Sequence, residues 1–138
     1  MKVLTFQARR FRWKSFSKTL EEASDDEVEE EVHDAVVAFL HAEAKDETED
    51  ERKRVLRHVL KHVKWLANKR EMKNVVLHSF THLGAGNADA AFARDLIDEL
   101  AERLAGTGSS VSTTPFGWFC EWDLAVYGES LAKVWKEV

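Results

Sequence analysis

Proline occurs once and glycine six times in 138 residues, too few for a linker-rich or disordered chain. The single cysteine, Cys120, leaves no internal disulfide. Charges interrupt every hydrophobic stretch long before the ~20 residues that cross a bilayer. The opening Met1-Lys2-Val3-Leu4-Thr5-Phe6-Gln7 lacks the apolar core of a secretory signal. These absences argue against a disulfide scaffold and a membrane partner. They set the expectation of a cytoplasmic protein in a reducing compartment.

What is present is enough apolar material for one core. The chain is 44% hydrophobic, and five Trp and eight Phe concentrate buried area in few side chains. A length of 138 residues fits one domain, taken as residues 1–138. Formal net charge is −5, yet the charge is laid out in blocks. Residues 1–20 carry Lys2, Arg9, Arg10, Arg12, Lys14 and Lys18 with no acid, and residues 52–73 carry nine Lys or Arg against Glu71 alone. Residues 21–31 hold eight acids and no base, so opposite charges are expected on opposite faces.

The hydrophobic period then places the elements. Leu4, Phe6 and Ala8 alternate with Val3, Thr5 and Gln7, and then Phe11 and Trp13 alternate with Arg10, Arg12 and Lys14, which reads as two strands. Ala35 to Leu40 is apolar without a break and predicts a central buried strand after an acidic connection. Thr48 with Glu51 has the form of a capping box. The helix it opens carries Val55, Leu56, Val59, Leu60, Val63, Leu66 and Ala67 on one stripe and Lys53, Arg54, Arg57, Lys61 and Lys64 outside. Val75 to Phe80 predicts another buried strand, running into the glycine-containing loop Thr81 to Asn87. Asn87 is expected to cap a second helix that ends at Gly106, followed by a strand over residues 118–126 and a short helix over residues 129–136. The order β-β-β-α-β-α-β-α predicts a single-domain α/β fold, a sheet covered by helices on at least one face, with its site where strands end.

Several residues carry chemistry in this pattern. His58 and His62 have metal-ligand spacing, but Val59 stands where a zinc protease needs Glu, so both read as boundary residues and no metal is expected. Arg10, Arg12 and Lys14 interleave with Phe11 and Trp13, as on a strand with a wet face and a core face. With Lys18 and the helical Arg57 and Lys61 they form the candidate surface for an anionic partner. His82 leaves a buried strand at a loop, where its ring can exchange a proton. Cys120 could act as a nucleophile only with a base in reach.

Ser79-Phe80-Thr81-His82-Leu83 and Thr114-Pro115-Phe116-Gly117-Trp118-Phe119-Cys120 resemble two segments of the editing domain of archaeal threonyl-tRNA synthetases, Pro-Phe-Ala-His-Leu and Ala-Pro-Phe-Gly-Tyr-Tyr-Lys. The likeness extends in order through Met1 to Leu4, Lys18, Leu20 and Val37 to Phe39, nearly the whole chain. It implies a D-aminoacyl-tRNA deacylase-like fold, a homodimer, and trans-editing hydrolysis of serine from mischarged threonine tRNA. It implies tRNA and threonyl-tRNA synthetase as partners and no cofactor. In this resemblance His82 is the family histidine, and Ser79, Phe80, Thr81, Pro115, Phe116, Gly117, Trp118 and Phe119 bound the amino-acid pocket. The chain departs from the pattern at three places: the family lysine is Cys120, the second tyrosine is Phe119, and a glutamate of the final helix is Lys133. Two catalytic expectations follow. Lys133 restores the missing amine, or Cys120 pairs with His82 as nucleophile and base. The alternative is a degenerate domain that binds tRNA or a synthetase without hydrolysis.

Overall fold

A computed structural model describes residues 1–138. Its strands are β1 (Lys2–Lys18), β2 (Glu29–His41), β3 (Asn74–Ser79), β4 (Ser110–Thr113), β5 (Trp118–Val126) and β6 (Lys133–Glu137), and its helices are α1 (Glu49–Lys69) and α2 (Ala90–Gly106). They build one six-stranded mixed sheet in the order β4-β3-β2-β1-β5, with β6 sharing the outer edge of β1 with β5. The pairs β2·β3 and β3·β4 are parallel and connected through α1 and α2, whereas β1 is antiparallel to all its neighbours. The unbroken apolar run Ala35 to Leu40 therefore does lie in the middle of the sheet, buried on both faces.

Where two opening strands were expected there is one of 17 residues. The change of phase comes from an irregularity inside the strand. The register of β1 against β5 slips between Ala8 and Arg10, and Asp34, between the facing residues of β2, has a left-handed φ of 48°. An extra residue turns every later side chain to the other face. Ala8, Phe11 and Trp13 thus share one cluster despite their odd spacing. A second slip, between Ser15 and Ser17, leaves Phe16 outside, 74% exposed.

Both helices pack on one face. Val3, Val36, Ala38, Leu40, Val75 and Leu77 of the sheet meet Val55, Val59, Val63 and Leu66 of α1 and Leu96, Leu100 and Leu104 of α2. Two buried polar residues of β1 fasten α1: Gln7 Nε2 donates to the Leu66 carbonyl at 2.8 Å, and Thr5 Oγ1 lies 3.1 Å from His62 Nε2. His62, expected at the boundary of the apolar stripe, is instead buried, with Thr5 as its structural partner. The other face holds the aromatic cluster around Phe39, across which the sheet curls.

Thr48 caps α1, its Oγ1 accepting from Glu51 N at 3.4 Å, but the reciprocal half of the box is absent because Arg54 takes the Glu51 carboxylate. Thr48→Ala is expected to cost ~1 kcal/mol, read as a lowered midpoint in denaturant with an unchanged slope. The cap of α2 is Asp89 rather than Asn87, whose side chain is engaged by His41. The expected final helix over residues 129–136 is a short turn, Ser130–Ala132, followed by β6. β5 ends beyond Ala8 of β1, so the open edge over Lys2 to Phe6 takes this segment as a strand. β4 was not anticipated, being four residues with one apolar side chain at the sheet edge.

Charge is not segregated onto opposite faces. The β1·β2 register sets Arg10 against His33, Arg12 against Glu31 and Lys14 against Glu29, while β5 brings Asp123 and Glu121 to the other side of Arg12 and Lys14. Arg10 pairs with Glu31, Arg12 with Glu29 and Asp123, and Lys18 with Asp25. Arg10 and Arg12 are thus neutralised by the strands beside them and Lys18 by the connection that follows β1, whereas Lys14 enters no salt bridge.

Candidate active site

The ends of β2 and β3, the start of α2 and the segment entering β5 enclose a cleft of about 320 Å³. Ser79, Phe80, Thr81 and His82 form one wall, and Pro115, Phe116, Gly117, Trp118, Phe119 and Cys120 form the other. The two segments singled out in the sequence are therefore brought together. Leu40, Ala42, Ala93 and Ile97 line the cleft from the helix side, and Thr19 and Leu20 close it beside Gly117.

Each wall has a local cause. Gly117 has φ +80°, and a Cβ there would stand 2.9 Å from the Cβ of Ala23, so both conformation and space require glycine. Its carbonyl accepts from the N–H of Thr19 at 2.7 Å, and Trp118 Nε1 donates to the Ser24 carbonyl at 2.9 Å, fixing this wall to the end of β1. The opposite wall begins where the N–H of Phe80 donates to the Leu40 carbonyl at 2.9 Å. His82 is exposed, with its ring edge-on to Phe80 at 5.1 Å, and Phe80 in turn packs on Phe39 at 5.0 Å.

His41, fully buried at the end of β2, holds the loop that carries His82. Its Nδ1 accepts from the N–H of Leu83 at 3.2 Å, which leaves the proton on Nε2, facing the Gly86 carbonyl at 2.7 Å and Asn87 Oδ1 at 2.8 Å. Sequence reasoning missed this residue. It also missed Arg94 of α2, whose guanidinium lies 5.4 Å from the centre of the Phe116 ring. A smaller hollow of about 210 Å³ shares Ser79, Ile97, Pro115 and Phe116 with the cleft and is lined by Arg94 and Asp98.

The titratable groups lining the cleft are His78, His82 and Cys120. Burial pushes the pKa of His78 down to about 4, and its Nδ1 lies 2.8 Å from Thr114 Oγ1. It is a neutral, hydrogen-bonded wall residue at neutral pH. Burial pushes the Cys120 thiol up, away from the reactive thiolate, and no hydrogen bond joins it to His82. Lys133 does not line the cleft. It opens β6 opposite Phe6, exposed, so within one chain it does not supply an amine to this site. No group of three His, Cys, Asp or Glu side chains gathers as a metal site.

The depressed pKa of His78 has a consequence for stability. Between about 4 and the ordinary value of 6.5 the unfolded chain binds a proton that the native chain refuses. The stability this residue retains above pH 6.5 is therefore lost progressively as pH falls toward 4. Full expression of the shift corresponds to ~3 kcal/mol. Unfolding in denaturant between pH 7 and 4 should show this slope, and His78→Gln should flatten it.

The element order and curled mixed sheet define a single-domain α/β protein of the D-aminoacyl-tRNA deacylase-like fold. The c-Myc DNA unwinding element binding protein has a similar structure, with a TM-score of 0.66, 11% identity, and coverage of 100% of this chain and 99% of that one. Identity that low speaks for the fold alone. Residues 1–138 match the model of the archaea-specific editing domain of threonyl-tRNA synthetase, and the chain belongs to that family. The threonine–tRNA ligase of Staphylothermus marinus is 28% identical over 142 residues, covering 100% of this chain and 22% of the ligase. That of Thermofilum pendens is 33% identical over 64 residues, covering 46% of this chain and 10% of the ligase. The chain thus spans about a fifth of the length of the Staphylothermus ligase.

Proposed function

We propose that the chain is an aminoacyl-tRNA deacylase that edits in trans, hydrolysing the ester between serine and the terminal ribose of mischarged threonine tRNA. The observation that carries this reading is the strand-end cleft in which the His82 segment and the Pro115 to Cys120 segment face each other. No carboxylate, lysine or arginine lines that cleft. Proton transfer then falls to His82 and to the ribose hydroxyl of the substrate, with the pocket walls supplying orientation. Ala90 and Ala93 place the first turn of α2 beside the bound ester, where the positive end of the helix favours developing negative charge, partly offset by the capping Asp89.

Threonine tRNA and threonyl-tRNA synthetase are the partners in this reading, in the cytoplasm. No helix of the chain is long and apolar enough to cross a membrane. Homodimerisation belongs to the same reading. Trp135, 53% exposed, lies opposite Leu4 on the helix-free face and leaves an apolar strip for a second copy to cover.

A second reading, a binding module without hydrolysis, is favoured by the cleft's lack of an amine and the position of Lys133 on β6. Incubation with seryl- and threonyl-charged threonine tRNA separates the two. The deacylase releases serine faster than threonine, whereas the binding module retards tRNA and releases neither.

A further inference from the structure

We propose that the groove between α1 and the C-terminal turns of α2 is a docking track for the phosphate backbone of RNA, with Trp65 as a stacking platform for an unpaired base. This proposal rests on the reading of a tRNA substrate but concerns a surface separate from the cleft. Leu56 and Leu60 form the floor, and Lys53, Arg57, Lys61 and Lys64 of α1 with Arg103 of α2 form the rim. No acid lines it.

The helical repeat makes this a row. Residues 53, 57, 61 and 64 fall on one side of α1, rising ~6 Å per four residues and ~16 Å in all. Each cation can therefore meet a different phosphate of one strand. Lys53 pairs with Glu49 in an exposed i,i+4 pair that a phosphate can displace, and exposed Arg103 pairs with the half-buried Glu99, which keeps Arg52 as a partner when Arg103 turns to a phosphate. Arg57, Lys61 and Lys64 enter no salt bridge, unlike Arg10, Arg12 and Lys18 of β1. The local field is felt at His58, whose pKa is lowered first by burial and then by Arg57, Arg54, Lys136 and Lys61.

Trp65 adds a different chemistry. It is 44% exposed on the groove, with Lys69 Nζ 5.7 Å from its ring centre. A cationic groove with a half-exposed aromatic ring, which a base can stack on once Lys69 turns to a phosphate, is the combination that binds single-stranded or looped nucleic acid. α1 connects two parallel strands and so runs back along the sheet. Its first turns, with Lys53, lie toward the strand ends where the cleft opens, and Lys64 and Trp65 lie farther from them. RNA held along this track would be gripped away from its acylated end.

The test uses deacylated threonine tRNA and the full chain, with affinity measured by fluorescence anisotropy from 50 to 300 mM salt, roughly the range over which phosphate contacts weaken. The triple variant Arg57→Ala/Lys61→Ala/Lys64→Ala should lose at least about tenfold in affinity, and its salt slope should fall by ~2. Trp65→Ala should weaken binding about tenfold with the slope unchanged, and Trp65→Phe should restore most of it. All these side chains are exposed or half-exposed, so melting temperatures serve as the folding control. Wild-type affinity and slope in the triple variant would overturn the proposal. So would loss of threonyl-tRNA synthetase binding with tRNA binding intact, which assigns the groove to a protein. A wild-type chain that binds tRNA through this groove but releases no serine would sink the deacylase reading and leave the groove standing.

Discussion

His82→Ala is expected to slow serine release from mischarged threonine tRNA by ~10²–10⁴-fold, the range of a lost general acid–base group, while the melting temperature barely moves. The expectation comes by elimination among the groups that line the cleft. His78 is neutral and tied to Thr114, and moving a proton through it would break that bond. The Cys120 thiol is pushed up by burial, so its nucleophilic form is scarce. His82 alone is exposed and bears no hydrogen bond that proton transfer would cost. Single-turnover rates with saturating enzyme should show the loss in the chemical step. A decrease below about threefold would shift the work to the ribose hydroxyl, and a tRNA ending in a deoxyribose would then lose hydrolysis instead.

His41 provides the companion test. It does not line the cleft itself but holds the loop at Leu83, Gly86 and the cleft-lining Asn87, so it is a positioning residue. His41→Ala should lower kcat by less than His82→Ala does and raise amide hydrogen exchange at Leu83. His82→Ala should leave that exchange unchanged. If both variants lost the same rate with no change in exchange, the loop would not depend on His41.

Much of this site was legible because its residues announce themselves locally. Phe80 to Leu83 follow an apolar strand directly, and the Pro-Phe-Gly turn is a contiguous feature. The centre of the sheet was equally plain, since only a strand covered on both faces tolerates six apolar residues in succession. What escaped depends on register. The slips in β1 look like a boundary between strands, because a phase change does not say whether the chain turns or bulges. Leu131, Val134 and Trp135 have helical spacing, but the free edge of β1 decides their conformation, and that edge is set by where β5 stops. The acids of β2 and β5 neutralise Arg10 and Arg12 only through cross-strand pairing, which a charge count along the chain does not contain. His41 bonds a loop more than 40 positions away, with no local pattern to mark it.

Phe39→Ala is expected to produce the largest loss of stability, ~3–5 kcal/mol for a buried Phe reduced to Ala. Phe39 is 2% exposed at the centre of the helix-free face. Its ring lies 4.8 Å from His78, 5.0 Å from Phe80, 5.3 Å from Trp122, 5.5 Å from Phe6 and 6.3 Å from Phe11, so it joins β1, β2, β3 and β5 in one cluster. Aromatic pairs add ~0.5–1.5 kcal/mol beyond area burial, which places the cost at the upper end. Against a total stability of ~5–15 kcal/mol, the loss is a third or more, and the melting temperature should fall by roughly 10–20 °C. Phe39→Leu keeps much of the volume and should cost under ~1.5–2 kcal/mol. The effect should also reach the cleft, because His78 and Phe80 both rest on this ring and Phe80 backs His82. Serine release by Phe39→Ala, corrected for the folded fraction, should therefore fall as well. A melting temperature within 3 °C of wild type would mean that the helix face alone holds the sheet, far less than the ~10 °C expected from burial. A large drop in stability with undiminished corrected activity would instead mean that His41 positions His82 without support from Phe39.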